Sequence, residues 1–136
     1  MLKIAGGARV ADGLLALGND VAITENFANR VAKKNWFDVI VHGTKDGLAF
    51  KVGGNIIKPQ ELYNNMLANG YKAGTNIRLI SCYSGSLENG AASQLSKLSN
   101  AMVVAPTDAT FIGNGQIFQA GKTMVSNGGN YKVFKP

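Results

Sequence analysis

Two side chains in this sequence could do nucleophilic chemistry together, and each occurs once. His42 closes the apolar run Phe37-Asp38-Val39-Ile40-Val41 and is followed by Gly43. Cys82 closes Ile77-Arg78-Leu79-Ile80-Ser81 and is followed by Tyr83-Ser84-Gly85. A thiol attacks carbonyl carbon as thiolate. An imidazole can hold its proton and return it to a leaving amine as general acid. A His–Cys pair is therefore the minimum equipment for covalent acyl transfer.

The pair works only if the fold brings both residues to one place. Residues 37–41, 77–81 and 101–105 are short, near-continuous apolar runs, the pattern of strands covered on both faces. Between the last two lies a helical pattern over residues 88–100, with Ala91, Ala92, Leu95 and Leu98 on one face. Pro59 opens another helix near its first turn, carrying Leu62 and Met66, and Asn69-Gly70 ends it. Gly53-Gly54 between residues 48–52 and 55–58 signals a hairpin. Thr24 reads as the N-cap of a helix running to about residue 34. Residues 131–134 read as a closing strand. Strands alternating with helices imply an α/β fold: a mostly parallel central sheet with helices on both faces and a small hairpin insertion. Ligands bind at the carboxyl edge of such a sheet, where His42, Cys82 and Pro106-Thr107-Asp108 fall. Residues 1–22 are glycine-punctuated and read as a linker or N-terminal extension, leaving residues 23–136 as the domain.

Composition narrows the classes. The chain has 136 residues, 46% of them hydrophobic, enough for one domain with a real core. One cysteine excludes an internal disulfide framework and any zinc site built on several cysteines and histidines, so no metal and no cofactor is expected. The net charge of +6 permits polyanionic partners. The lysines are scattered, though, without the aromatic interleaving of an RNA-binding sheet, and nucleic acid is the disfavoured partner. No run approaches a membrane span, and the N-terminus lacks a signal-peptide pattern.

The ordered blocks Val39-Ile40-Val41-His42-Gly43 and Leu79-Ile80-Ser81-Cys82-Tyr83-Ser84-Gly85 resemble the motifs of the caspase-like superfamily of cysteine peptidases. The likeness covers about residues 36–108, and its compactness is most similar to the self-processing peptidases embedded in bacterial toxins. The glycine-rich lead-in resembles the C-terminal domains of bacterial polymorphic toxins. The resemblance implies a caspase-like fold and a cysteine endopeptidase, acting as a toxin, an effector or a self-processing module. Cys82 would be the nucleophile, His42 the proton carrier, and the backbone N–H groups of Gly43 and Cys82 the oxyanion hole. It also implies a protein or peptide substrate, a neutralising immunity protein and a polyanion activator, for which Lys122, Lys132 and Lys135 are candidates. The expected setting is secretion, or delivery from a larger bacterial parent, with action in a target-cell cytoplasm.

The sequence also departs from caspases. Ser-Cys-Tyr-Ser-Gly stands where caspases carry Gln-Ala-Cys-Arg-Gly. Only Arg9, Arg30 and Arg78 are present to line an aspartate-specific pocket. Ser81, Tyr83, Ser84 and Asp108 are the candidate pocket residues, Asp108 as a selector of basic side chains or else as a turn residue. Asp38 reads as a satisfied strand carboxylate rather than a triad member, and Trp36 as core. A serine nucleophile at Ser84 lacks the flanking glycines of Gly-x-Ser-x-Gly. The competing reading is a non-peptidase toxin or basic nucleic-acid-acting domain on the same scaffold.

Overall fold

The computed structural model describes residues 7–116 and 118–136. In chain order these form β1 (Ala8–Ala11), β2 (Leu14–Leu17), α1 (Val21–Asn29), β3 (Trp36–Ile40), β4 (His42–Gly43), β5 (Phe50–Val52), β6 (Asn55–Ile57), α2 (Pro59–Ala68), β7 (Asn76–Ile80), α3 (Ala91–Ser99), β8 (Val103–Pro106), β9 (Thr110–Ile112), β10 (Thr123–Val125) and β11 (Tyr131–Phe134). The central sheet has six strands in the order β1-β2-β3-β7-β8-β11. Pairings β2–β3, β3–β7 and β7–β8 are parallel, whereas β1–β2 and β11–β8 are antiparallel. Two small antiparallel sheets, β4-β5-β6 and β9-β10, flank it.

This overturns the expectation of a mostly parallel, caspase-like α/β sheet. The domain is β-rich, with eleven strands against three short helices among the described residues, and its main sheet is mixed. The reasons are local. Asp12-Gly13 is a two-residue hairpin turn, with Ala11 facing Leu14 across it, so the chain enters the sheet as a hairpin. Among the described residues no helix follows β8. The chain makes the β9–β10 hairpin and returns antiparallel to β8 as β11.

The segment expected as a linker or extension divides accordingly. Residues 1–6 lie outside the described residues, while β1 and β2 belong to the sheet and β2 is buried throughout. α1 also starts earlier than expected. Asp20, not Thr24, is its N-cap, the carboxylate accepting the Ile23 N–H at 3.0 Å. The Gly53-Gly54 hairpin forms with Val52 opposite Asn55, both glycines at positive φ. Pro59 opens α2, with the Glu61 carboxylate accepting the Lys58 N–H.

Side chains alternate across the sheet. Leu15, Leu17, Phe37, Val39, Ile77, Leu79, Val103 and Ala105 face α2 and α3, packing against Leu62, Met66, Ala91, Ala92 and Leu95. Leu14, Ala16, Ile40 and Ile80 face α1, packing against Ile23, Phe27 and Ile112 of β9. On this second face Asp38 is fully buried between two arginines. Arg30 Nε reaches its Oδ2 and Arg78 Nε its Oδ1, each at 2.8 Å. Arg30 also donates to the Gly13 carbonyl and Arg78 to that of Val31, fastening the first hairpin and the end of α1 to β3.

Candidate active site

The β3–β7 register is a constant offset of forty residues, from Trp36 opposite Asn76 to Ile40 opposite Ile80. Val41 N–H continues the ladder to the Ile80 carbonyl at 3.2 Å. The paired register ends at Ile40 and Ile80, and His42 and Cys82 each lie two residues beyond that last pair. Both have the parity of Asp38, Ile40, Arg78 and Ile80, the α1 face. The backbones converge here. A Cβ on Gly43 would overlap the Cys82 carbonyl oxygen and lie 3.0 Å from the Ser81 hydroxyl, so only glycine fits.

Beyond this point β4 leaves the main sheet and pairs with β5, His42 opposite Lys51 and Gly43 opposite Phe50. Thr44 N–H donates to the Ala49 carbonyl, and Ala49 N–H donates to the Thr44 hydroxyl. In the turn after β7, Tyr83 N–H donates to Asp108 and Ser84 N–H to Ser81. Among the described residues the Cys82 N–H has no protein acceptor. Tyr83 sits at φ +62°, a left-handed conformation uncommon for a bulky residue, directly after the thiol.

Each member of the pair has its own partner. His42 Nε2 lies 2.6 Å from Asp20 Oδ2, both side chains partly exposed. Burial alone would push the Asp20 carboxyl up, but the Ile23 amide and the His42 imidazole outweigh it and hold it below the usual carboxylate range. The half-buried thiol of Cys82 is held by the Thr110 backbone, whose N–H donates to Sγ at 3.4 Å and whose carbonyl lies 3.8 Å from it. Thr110 Oγ1 meets the Tyr131 hydroxyl at 2.8 Å. Burial pushes the Tyr131 phenol up to about 12, against the lowering effect of Thr110. A pocket of about 380 Å³, lined by Asp20, His42, Gly43, Lys51, Gly53 and Gly54, opens on the imidazole side of the pair.

The other candidate residues divide. Tyr83 is half-buried beside the thiol, and Asp108 is tied to it through the Tyr83 N–H. The Asp108 carboxylate accepts from Ala109 N–H at 2.7 Å and from the Asn127 amide at 3.2 Å, so it shapes the turn into β9. Ser81 and Ser84 are buried, each 1% exposed. Ser84 donates to the Ser81 carbonyl and braces the turn, while the Ser81 hydroxyl has no partner among the described residues. Trp36 is half-buried at the opposite end of β3 from His42, under the Lys33 ammonium at 4.5 Å. All three arginines are engaged within the fold, Arg9 over the Phe27 ring. Lys122, Lys132 and Lys135 are exposed.

Sequence reasoning missed Asp20 and Thr110. The signal for Asp20 was Asn19-Asp20 ahead of an apolar periodic segment, a helix-start pattern. Nothing local marks Thr110, whose role comes from the β9 hairpin folding over the thiol.

The structure thus defines a small β-rich domain built on a mixed sheet, with a histidine and a cysteine at the carboxyl ends of adjacent parallel strands. The chain belongs to the family described as Domain of unknown function (DUF8616), which matches residues 13–132. No curated protein and no solved structure matches it. Among the described residues no helix is long and apolar enough to cross a membrane.

Proposed function

We propose that this domain is a thiol hydrolase, a cysteine endopeptidase with Cys82 as nucleophile and His42 as proton carrier. The observation that carries the reading is the forty-residue register of β3 and β7 together with the Gly43 backbone against the Cys82 carbonyl. The chemistry then follows from positions. Cys82 Sγ loses its proton to His42 and adds to the substrate carbonyl carbon. The oxygen that becomes negative is met by the N–H groups of Gly43 and Cys82, the latter without a protein acceptor among the described residues. Such donors contribute about 3 kcal/mol each to lowering the barrier. The imidazolium returns its proton to the leaving amine, and water releases the acyl group from sulfur.

Tyr83 and the turn to Asp108 border the thiol, whereas Ser81 and Ser84 act behind it. A protein or peptide substrate fits this arrangement, and the ordered His-Gly and Ser-Cys motifs are its second support. The test is cleavage of a peptide library read by mass spectrometry, comparing the wild type with Cys82→Ala. Wild-type cleavage lost in the variant is expected. Full cleavage by Cys82→Ala would remove the assignment, as would failure of a peptidyl thiol-reactive inhibitor to modify Cys82.

A further inference from the structure

We propose that Asp20 is the positioning residue for His42, fixing which ring nitrogen acts as base. The inference rests on the thiol-hydrolase reading and deepens it. The Asp20 carboxylate is used twice: Oδ1 accepts the Ile23 N–H at 3.0 Å and caps α1, and Oδ2 lies 2.6 Å from His42 Nε2. The second distance is short, in the direction expected of a hydrogen bond to a charged acceptor. The cap matters because it ties the carboxylate to a rigid element. α1 is anchored by Ile23 and Phe27 against Leu14, Ala16, Ile40 and Ile80, beside β3, the strand that leads into His42.

An imidazole has two nitrogens. A carboxylate can only accept, so Nε2 of the neutral ring carries the hydrogen and Nδ1 keeps its lone pair. Nδ1 is then the only atom of His42 able to take the Cys82 proton: the S–H bond breaks, the Nδ1–H bond forms, and the positive ring sits against Asp20. Later Nδ1–H breaks as the leaving nitrogen gains that proton. Lys51, opposite His42 on β5 and lining the same pocket, is the charge that opposes this, and Asp20 offsets it. As a partly exposed surface pair, His42–Asp20 adds little to stability. Its effect is expected in the ring's orientation rather than in the fold.

One histidine and one cysteine make the test unambiguous. Nitrogen-15 correlation spectra of the intact chain, recorded where an imidazole is neutral, report the protonated nitrogen. Iodoacetamide alkylation reports the thiol. The wild type should show the nitrogen-15 shifts of a single Nε2–H tautomer. Asp20→Ala should mix the two tautomers, and alkylation of Cys82 should slow about tenfold. Asp20→Asn separates the two uses of the carboxylate, because Asn caps a helix as well as Asp does. It should keep the wild-type melting temperature yet alkylate as slowly as Asp20→Ala. A wild-type ring without a dominant Nε2–H tautomer, a tautomer ratio unchanged in Asp20→Ala, or wild-type alkylation in Asp20→Asn would overturn the inference. Failure of the hydrolase reading shows separately, as peptide cleavage that survives Cys82→Ala.

Discussion

The two faces of the six-stranded sheet are built from the same strands and differ in kind. The face toward α2 and α3 is apolar from β2 to β8, a single cluster that includes Phe37, Val39, Leu79 and Leu95. The face toward α1 holds a smaller apolar cluster and, along the same rows, a buried carboxylate with two arginines, the imidazole on Asp20 and the thiol on Thr110. Residues only one position apart in β3 therefore do different work: Val39 fills a core, while Asp38 anchors an ion cluster in line with His42. A sheet can carry a polar site on one face when the other supplies the apolar burial that holds the strands together.

The largest expected effect separates chemistry from fold. Cys82→Ala should lower peptide cleavage by at least about 10³-fold, as loss of a nucleophile does, while the melting temperature stays near that of the wild type. A large drop in melting temperature would mean the thiol holds the β9 hairpin in place, and the two faces would not divide as described. Asp38→Asn tests the opposite possibility on the same face. Removing its charge leaves Arg30 and Arg78 facing each other without a counter-ion and should cost about 3–5 kcal/mol of stability. Leu79→Ala, on the dry face, should cost about 2–5 kcal/mol. Urea unfolding measures both. Equal costs would show that the polar face carries as much of the fold as the core does.

These contrasts also mark what the sequence could reveal. The runs ending at His42 and Cys82 were legible because a strand buried on both faces reads as a nearly unbroken apolar stretch. Their ends could be found without knowing the sheet. The hairpin at Gly53-Gly54 and the start of α2 at Pro59 were legible because turn and cap chemistry is local. Asp12-Gly13 was equally local and would have put β1 and β2 in the sheet, but the surrounding glycines suggested a loose lead-in. The direction of β11 was not legible. It depends on how β9 and β10 fold back over the thiol, and that hairpin is held by Thr110, Met124 and Tyr131 across fourteen to twenty-one residues. The Asp38 cluster was half visible: the carboxylate read as satisfied, but nothing near it in sequence named Arg30 and Arg78 together.

Alkaline pH sharpens the comparison further, because the polar face contains the shifted phenol. Tyr131 ionises at 10.0 in an unfolded chain and at about 12 here. The folded state holds the proton more tightly. Its contribution is whole below pH 10 and is lost as pH rises through about 12, amounting to about 3 kcal/mol over two units. Tyr131→Phe should remove this pH dependence from urea unfolding curves measured between pH 9 and about 12. If the variant keeps the same alkaline slope, another group is responsible and burial of the phenol on this face is incomplete in solution.

The smallest effect bears most directly on the site. Asp20 ionises below its ordinary value of 3.8, held there by the Ile23 amide and by His42 against the opposing effect of burial. A depressed carboxyl contributes stability above its unfolded value, and that contribution is lost as pH falls through the folded one. His42→Ala removes one of the two partners and leaves the cap. The Asp20 titration, followed by carbon-13 signals of the carboxyl, should then move up toward 3.8 without reaching it. A midpoint unchanged by His42→Ala would mean that Asp20 serves α1 alone. A midpoint that reaches the unfolded value would mean that the cap fails with the histidine, making α1 and the imidazole one unit. The expected intermediate shift corresponds to a carboxylate shared between helix and ring, which connects the α1 face of the sheet to the thiol's neighbour.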